Sequence, residues 1–410
     1  MKFKLGSDSI AILTMMGEGF FARLSFSVVG FALPLYARSL GLTLSEIGLL
    51  ISLNVAVAMA LKPVMARNAD RSGWRRSILA GVGIRGLVPL LLAFSSLPWQ
   101  LFGIRAVHGM SEAMRDPPVN TLLAVHGEKR NAVASAFAWY ATARSVGASL
   151  GHAVSGVLLT LTASNFSLVF IVAFGLSAVP LALVARCVPR DSERAQAGGN
   201  KTETAATPAA QDETASSAVT RPPPKAFAVA GLGLFMSTTA QMLHGLFPIL
   251  ATEYGGLSAA ETGILYALST FVVLFAGPLF GWLSDRVSRD VVLMVRGGAN
   301  IVSSGVYLAA PNFPGIAVGR CVDDMGKAAF RPAWGAMMAL VSASDSKRRA
   351  TTISITSLGQ DAGEIIGPVL AGLLWNTWGI AVMLGVRIFL AVVTECYALI
   401  LGRKVHAAEP

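Results

Sequence analysis

Apolar runs of about twenty residues recur along nearly the whole chain, and this feature constrains the fold more than any other. A helix of about twenty residues spans the hydrocarbon core of a bilayer. Only 14% of the 410 residues are charged and 54% are hydrophobic, whereas a soluble domain carries about 25% charged residues. A single soluble core of this size would divide into domains joined by polar linkers. The sequence therefore predicts an all-α membrane protein with many spans.

The chain accommodates twelve transmembrane helices. We place them at residues 9–37, 44–66, 76–96, 99–123, 132–160, 165–187, 226–251, 259–283, 290–310, 314–341, 349–375 and 379–402. One long polar stretch, rich in Ala, Thr, Ser, Glu and Pro, follows the sixth span. Because this composition cannot bury a core, we predict a flexible cytoplasmic linker at 188–225. It separates an N-terminal six-helix bundle at 1–187 from a C-terminal one at 226–410.

The formal net charge of +10 raises the question of a nucleic-acid partner. Lys and Arg between the spans are concentrated in alternate segments, and the other set of segments holds only Arg38. This is the positive-inside bias, and it places both termini in the cytoplasm. The basic charge therefore reports topology, and we expect no nucleic-acid partner.

The cysteines and the N-terminus indicate no further chemistry. Cys187, Cys321 and Cys396 are far apart and show neither metal nor disulfide spacing, so we expect no metal and no cofactor. The first apolar run is too long for a signal peptide and lacks a small-residue cleavage site. We therefore interpret it as the first span.

The two halves of the chain repeat each other. Five features of the first half recur 215 residues later. Gly41–Gly48 matches Gly256–Gly263, Pro63 matches Pro278, Asp70-Arg71 matches Asp285-Arg286, Arg105 matches Arg320, and Pro117 matches Pro332. One residue further on, the glycine pair Gly147 and Gly151 matches Gly363 and Gly367. Such a series at one offset indicates duplication.

The loops after spans two and eight carry a recurring charged motif. The first contains Asp70-Arg71, Gly73, Arg75 and Arg76, and the second contains Asp285-Arg286 and Arg289. They resemble the loop signature of the major facilitator superfamily, although Ala66 and Ser288 replace glycines of that signature. The resemblance covers the whole chain. It implies the major facilitator fold, two pseudo-symmetric six-helix bundles, and a transporter rather than an enzyme.

These loops are candidates for a cytoplasmic gate. A short turn with an acid and several bases can bind the dipole of a neighbouring helix end. The predicted gate consists of Asp70, Arg71, Gly73, Arg75, Arg76, Asp285, Arg286 and Arg289, with Arg115, Asp116 and Arg331 at the cytoplasmic ends of spans four and ten. In the alternative reading, the loop arginines only signal topology.

Charged residues inside the spans indicate a polar interior, because each costs roughly 2.5–3.5 kcal/mol if it faces lipid at mid-membrane. Spans four and ten each place five such residues within an arc of about 100°. The two stripes are Arg105, His108, Glu112, Arg115 and Asp116, and Arg320, Asp323, Asp324, Lys327 and Arg331. The resemblance implies that both line a central cavity. We predict that substrate and protons bind there, with Glu18, Arg23, Arg144, Gln241, His244, Asp361 and Glu364 contributed by other spans.

Several charges have a structural alternative. Arg320–Asp324 and Asp323–Lys327 have helical spacings that form fixed ion pairs. His108, His152 and His244 are candidate proton carriers, although a lone helical histidine is more often structural. Lys62, Arg85, Arg296, Arg387 and Glu395 lie on spans that are less central in this fold, so we assign them to packing or snorkelling. The N-half cavity is then rich in Arg and the C-half in acids, which suits a zwitterionic substrate.

The predicted mechanism is alternating access by two pseudo-symmetric halves. Because the chain has no phosphate-binding loop, we expect an ion gradient to supply the energy, with the proton as the simplest ion. In the superfamily, an Arg placed like Arg105 is associated with proton coupling, and a glycine motif like Gly147–Gly151 is typical of exporters, although His152 replaces its proline.

Two functions remain open at this point. The first is proton-coupled export of a small organic molecule by antiport. The second is import of a polar charged solute, such as a siderophore or organic acid. A membrane sensor or embedded enzyme finds no supporting motif. The expected partners are a small-molecule substrate, protons and the lipid bilayer. We expect a monomer in a bacterial inner membrane.

Overall fold

The computed structural model describes residues 7–128, 133–188, 224–286, 289–343 and 349–406. Twelve long helices occupy these ranges. They are α1 (Ser7–Ser39), α2 (Leu44–Ser72), α3 (Trp74–Ala93), α4 (Pro98–Glu128), α5 (Val133–Leu161), α6 (Phe166–Cys187), α7 (Pro224–His244), α8 (Ala259–Arg286), α9 (Arg289–Ala309), α10 (Phe313–Ala343), α11 (Arg349–Trp378) and α12 (Ile380–His406). A short helical turn at Phe247–Ile249 and a π-helical turn at Leu250–Tyr254 follow α7.

The helices overlap all twelve predicted spans, and the all-α fold class is confirmed. Within the described ranges, seven helices are long and apolar enough to cross a membrane by length and composition. They are α1, α2, α3, α6, α7, α8 and α12. The remaining five include α4 and α10, which carry the predicted polar stripes.

The duplicated sequence Gly41–Gly48 and Gly256–Gly263 forms the same helix start twice. Glu46 accepts a hydrogen bond from the backbone N–H of Thr43 at 2.7 Å, and Glu261 accepts one from that of Ser258 at 2.8 Å. In return, the hydroxyls of Thr43 and Ser258 accept the N–H groups of Glu46 and Glu261. This reciprocal capping box satisfies N–H groups that a helix start leaves unpaired. It explains why these acids recur in the repeat.

The chain divides into two compact units. The first comprises Met1–Leu42, Leu53–Thr204 and Ser258–Ala267, and the second comprises Thr43–Ser52, Ala205–Leu257 and Leu268–Pro410. Within the first unit α1 packs against α5 and α6, and α3 packs against α4 and α6. Within the second, α7 packs against α11 and α12, and α9 packs against α10 and α12. Each unit therefore repeats one packing scheme. The predicted linker lies almost entirely outside the described residues.

Glycines set the closest helix contacts in each unit. In the first unit, a Cβ on Gly147 or Gly151 of α5 would overlap the backbone carbonyl of Phe20 or Leu24 of α1. In the second unit, Gly363 and Gly367 of α11 meet the backbone of α7 in the same way. Small residues let helix backbones approach closely inside a membrane, where packing replaces the hydrophobic drive. The duplicated glycine pairs are therefore packing positions.

Candidate functional site

The polar stripe of α4 is joined to α2 through Asn54. The guanidinium of Arg105 donates to the side-chain oxygen of Asn54, and the Asn54 amide donates to Glu112 Oε2 at 3.1 Å. His108 lies between them, with its ring nitrogens 3.4 Å from Arg105 Nη1 and 3.7 Å from Glu112 Oε1. We refer to Asn54, Arg105, His108 and Glu112 as the Arg105 cluster. His108 is fully buried, whereas the Glu112 side chain is 17% exposed.

Phe26 of α1 lies against this cluster, with the His108 ring and two guanidinium groups close to its own ring. His108 stacks on Phe26 with ring centroids 4.2 Å apart and an interplanar angle of 10°. The guanidinium carbons of Arg85 and Arg23 lie 4.7 and 5.8 Å from the Phe26 centroid. An aromatic face attracts a cation at such distances. Sequence analysis missed Phe26, although it lies one helical turn after Arg23.

Arg85 is buried in the first unit, so of the two predicted roles, packing and snorkelling, snorkelling is excluded. The residue is 6% exposed, and its Nε and Nη2 atoms have no hydrogen-bond partner among the described residues. Since buried guanidinium groups are normally paired, Arg85 is a cation with unused donors.

Glu18 and Arg115 form a buried ion pair between α1 and α4. Arg115 Nε and Nη2 donate to the two Glu18 oxygens at 2.7 and 2.6 Å, and the two side chains are 0% and 1% exposed. Tyr140 of α5 bonds Arg115 at 2.8 Å, and Asp116 accepts from Arg115 Nη1 at 2.7 Å. Sequence analysis separated this group, placing Glu18 in the cavity and Arg115 and Asp116 in the gate. The structure joins them.

In the second unit, the fully buried Arg387 of α12 uses all five of its N–H groups. Its acceptors are the backbone oxygen of Thr239, the hydroxyls of Ser303 and Ser304, and the side-chain oxygens of Asn300 and Asp323. The contact with Asp323 is 2.6 Å. A rigid guanidinium fork with every donor satisfied is a fixed element of structure. The burial of Arg387 excludes the predicted snorkelling, and its contact with Asp323 joins it to the polar stripe of α10, although its span was predicted to be less central.

Two acids of α10 are the centre of this polar group. Asp323 also contacts Lys327 at 2.7 Å and Arg296 of α9 at 3.5 Å. Asp324 contacts Arg320 at 3.0 Å and Lys327 at 2.7 Å. The ion pairs Arg320–Asp324 and Asp323–Lys327 are confirmed. We refer to Asp323, Asp324, Arg296, Arg320, Lys327 and Arg387 as the Asp323 cluster.

The sequence predicted a cavity that is rich in Arg in the first half and acidic in the second half. The Asp323 cluster does not fit this prediction. Among the described residues, four basic side chains contact the two acids of the Asp323 cluster. The error arose because Arg296 and Arg387 were assigned to peripheral helices. Long basic side chains from α9 and α12 reach the acids of α10, so the acids are neutralised within their own unit.

The two clusters occupy equivalent positions of the repeat but differ in chemistry. At the offset of 215, Arg105 corresponds to Arg320, His108 to Asp323, and Glu112 to Lys327. Arg320 also lies near an aromatic ring, 4.5 Å from the Phe247 centroid. The first unit therefore presents a carboxylate that is 17% exposed where the second presents an ammonium, that of Lys327, that is 25% exposed.

The remaining predicted cavity residues lie as follows. Arg144 is 5.4 Å from the Tyr140 ring centroid, next to the Glu18–Arg115 pair. Gln241 on α7 and Asp361 and Glu364 on α11 are half-buried, and His244 is exposed at the end of α7. Their participation in a binding site stays a prediction.

The predicted gate is only partly visible. Gly73, with φ of 96°, separates α2 from α3. Arg75 donates to the carbonyl of Ala185 in the last turn of α6 at 2.7 Å, which is the helix-end contact that the motif predicted. The side chains of Arg71, Arg76 and Arg286 are exposed. Those of Asp70, Asp285, Arg289 and Arg331 lie outside the described residues, so the gate stays a prediction.

Two repeated bundles of membrane-length helices, each with a buried polar cluster on its fourth helix, are typical of secondary transporters. A sequence model of the Major Facilitator Superfamily matches residues 18–243 and 229–409. The chain therefore belongs to the major facilitator superfamily. It is an integral membrane transporter and not an enzyme.

Comparisons with individual proteins agree with this assignment. The chain is similar to the structure of a bacterial homologue of the human lysosomal transporter Spinster, in an inward-facing and occupied conformation. The TM-score is 0.73 at 15% identity, and the match covers 96% of each chain. This likeness shows the fold alone.

Two curated relatives match over shorter segments. The multidrug efflux pump LfrA of Mycolicibacterium smegmatis is 30% identical over 167 residues, which is 41% of this chain and 33% of the relative. The uncharacterized membrane protein YJR124C of Saccharomyces cerevisiae is 25% identical over 166 residues, 39% of this chain and 36% of the relative. The chain thus matches about a third of the length of these relatives.

Proposed function

We propose that this transporter works by alternating access and couples the movement of a small organic solute to protons. The observation that carries the proposal is the pair of buried polar clusters, centred on Arg105 and on Asp323, at equivalent positions of the two repeats. Burying charge inside a membrane protein is costly, and such charge marks substrate or proton pathways. Each cluster is thus assigned to substrate or proton handling in its own unit.

Export by proton antiport is the first candidate for the direction of transport. The similarity to the efflux pump LfrA supports it. The glycine pair of α5 also supports it, because that pair resembles the exporter motif and packs tightly on α1. In an antiporter, protons and substrate compete for one site, so an acid such as Glu112 would bind either a proton or a cationic group of the substrate.

Proton symport of a charged solute is the second candidate, and the basic side chains near Glu112 favour it. Arg105 shares Asn54 with Glu112, and Arg85 supplies an additional buried cation beside Phe26. A negatively charged solute would compete with the Glu112 carboxylate for these cations. Protonation of Glu112 would therefore favour binding of the anion, and proton and solute would move together.

Localisation and assembly are part of the proposal. We assign the chain to a bacterial inner membrane as a monomer, with both termini and the segment 188–225 in the cytoplasm. The alternation of Lys and Arg between loops supports this orientation. The exposed loop arginines Arg71, Arg76 and Arg286 belong to the proposed cytoplasmic gate together with Arg75.

Transport into proteoliposomes under an imposed pH gradient tests the function and its direction. The probes are ethidium, a cation, and naphthalene-2-sulfonate, an anion that does not cross lipid. Antiport predicts that ethidium accumulates against an outward flow of protons, whereas symport predicts that the sulfonate enters with protons. Movement of both probes that is indifferent to the gradient would contradict proton coupling.

The variant Glu112→Gln identifies the coupling acid in the same vesicles. We expect it to abolish gradient-driven accumulation while exchange of labelled for unlabelled solute continues, because the amide keeps the Asn54 contact but cannot carry a proton. Glu253→Gln, at an exposed position of the π-helical turn, is the matched control. If Glu112→Gln retains driven accumulation, Glu112 is not the coupling group.

A further inference from the structure

Arg85, in the first unit, is a buried arginine with hydrogen-bond donors that have no partner among the described residues. Arg85 lies on α3, more than nine-tenths buried, with Nε and Nη2 lacking a hydrogen-bond partner among the described residues. In the second unit, by contrast, the buried Arg387 has an acceptor for each of its N–H groups. Arg296 also has one nitrogen, Nη2, without a hydrogen-bond partner among the described residues, but its Nη1 contacts Asp323. Arg85 differs because two of its nitrogens lack a partner and no acid of the described residues pairs with it.

The Arg85 guanidinium lies over the ring of Phe26 on α1. The Arg85 guanidinium carbon is 4.7 Å from the Phe26 centroid, and that of Arg23 is 5.8 Å away. Both Phe26 and Arg23 are half-buried, whereas Arg85 and His108 are buried. The ring thus forms an apolar surface with guanidinium groups around it. A flat apolar body could lie beside the ring while an attached anion meets the guanidinium donors.

The charges of neighbouring groups agree with an anionic ligand. The Glu18 carboxylate is held by the bidentate contact with Arg115, and Asp116 bonds the same guanidinium. The Glu112 carboxylate accepts the Asn54 amide and faces His108. Each of these acids has a partner other than Arg85. A carboxylate or sulfonate would supply the bidentate acceptor that a guanidinium fork binds best.

We propose that Arg85, Arg23 and Phe26 form a recognition site for an organic anion, a carboxylate or sulfonate carried on an apolar ring. The proposal rests on the transport function above, whose substrate class it names, and it agrees with the symport candidate, in which an anion moves with protons. Arg85 supplies the ion-pairing donors, Arg23 a half-buried cation that attracts the ligand, and Phe26 an apolar edge beside the ligand's ring.

Binding to the full-length protein in nanodiscs tests this site by isothermal titration calorimetry. The probes are benzenesulfonate and naphthalene-2-sulfonate, each compared with its neutral sulfonamide. We expect both anions to bind more tightly than their sulfonamides. Arg85→Gln should reduce this preference by at least about tenfold, because a hydrogen bond to a charged group is worth that factor or more. Arg38→Gln, an exposed arginine at the end of α1, should leave the preference unchanged.

The preference for the anion over its sulfonamide distinguishes recognition from a structural role. If Arg85 were only structural, Arg85→Gln would weaken both members of a pair equally. If that variant does not fold, Arg23→Gln at the half-buried position must show the reduced preference. The proposal is overturned if neither anion binds better than its sulfonamide, or if the preference survives in every folded variant of Arg85 and Arg23.

The two proposals fail in different ways. Anion binding that requires Arg85, without any transport of naphthalene-2-sulfonate in proteoliposomes, would leave the site intact and contradict the transport function. Gradient-driven transport of ethidium, without any preference for anions in the binding experiment, would support the transport function and contradict the anion site.

Discussion

Arg387 illustrates how this membrane protein accommodates a charge at the level of a single residue. Its guanidinium is fully buried, bonds Asp323 at 2.6 Å and is surrounded by three polar side chains and one backbone carbonyl. A buried pair adds little stability compared with apolar residues of the same size, but removing one partner leaves the other charge uncompensated. Arg387 is therefore a position where truncation is costly.

The variant Arg387→Met should destabilise the protein strongly. Loss of the guanidinium leaves the 2.6 Å contact of Asp323 unmade and several hydroxyl and amide groups without a donor. Breaking a buried pair costs about 3–5 kcal/mol, so the midpoint of thermal unfolding in detergent should fall clearly. Arg38→Met, at an exposed position, should shift stability by no more than about 0.5 kcal/mol. Equal midpoints for the two variants would show that the Asp323 cluster does not hold the second unit together.

At the scale of helices, the repeat preserves the close contacts between helix backbones but not the charges of the polar stripes. The pair Gly147 and Gly151 meets the backbone of α1, and the pair Gly363 and Gly367 meets that of α7. In contrast, the stripe on α4 has Glu112 where the stripe on α10 has Lys327. Backbone contact tolerates only glycine at these positions, whereas a polar stripe tolerates a change of sign if its partners change too.

The variant Gly147→Val tests the helix contact directly. Its side chain would collide with the Phe20 carbonyl, so α5 must move away from α1, and we expect poor folding or a much lower unfolding midpoint. The control is Gly175→Ala on α6, where an added Cβ meets nothing within 4 Å. That change should be neutral or stabilise by up to about 1 kcal/mol, since Ala is the better helix former. A stable Gly147→Val protein would refute tight packing between α1 and α5.

At the scale of the whole molecule, the distribution of basic residues predicts the orientation in the membrane. Arg38 is the only Lys or Arg in one set of loops, so the loop between α3 and α4, which lies in that set, should face away from the cytoplasm. The end of α6 should face the cytoplasm.

Cysteine labelling in intact cells checks this orientation. A membrane-impermeant maleimide should label Ser96→Cys, introduced into a background without native cysteines at an exposed loop position. It should not label a variant that retains only the exposed Cys187 until the membrane is permeabilised. The reverse pattern would place both termini outside the cytoplasm.

The sequence by itself determined the membrane location, the twelve helices, the duplication and the family. These properties depend on hydrophobicity, helical periodicity and capping, which act over a few residues or along one helix. The sequence also predicted the polar stripes and the pairs Arg320–Asp324 and Asp323–Lys327, because residues four apart share a helix face.

Only the tertiary structure decided which charges meet across helices. Glu18 and Arg115 are 97 residues apart and Asp323 and Arg387 are 64 apart, and no local pattern connects them. The sequence therefore divided one ion pair between two sites and assigned Arg387 to the periphery. Long basic side chains can reach acids on a neighbouring helix, so their partners depend on how the helices pack. For the same reason, only the tertiary structure shows that Nε and Nη2 of Arg85 lack a hydrogen-bond partner among the described residues.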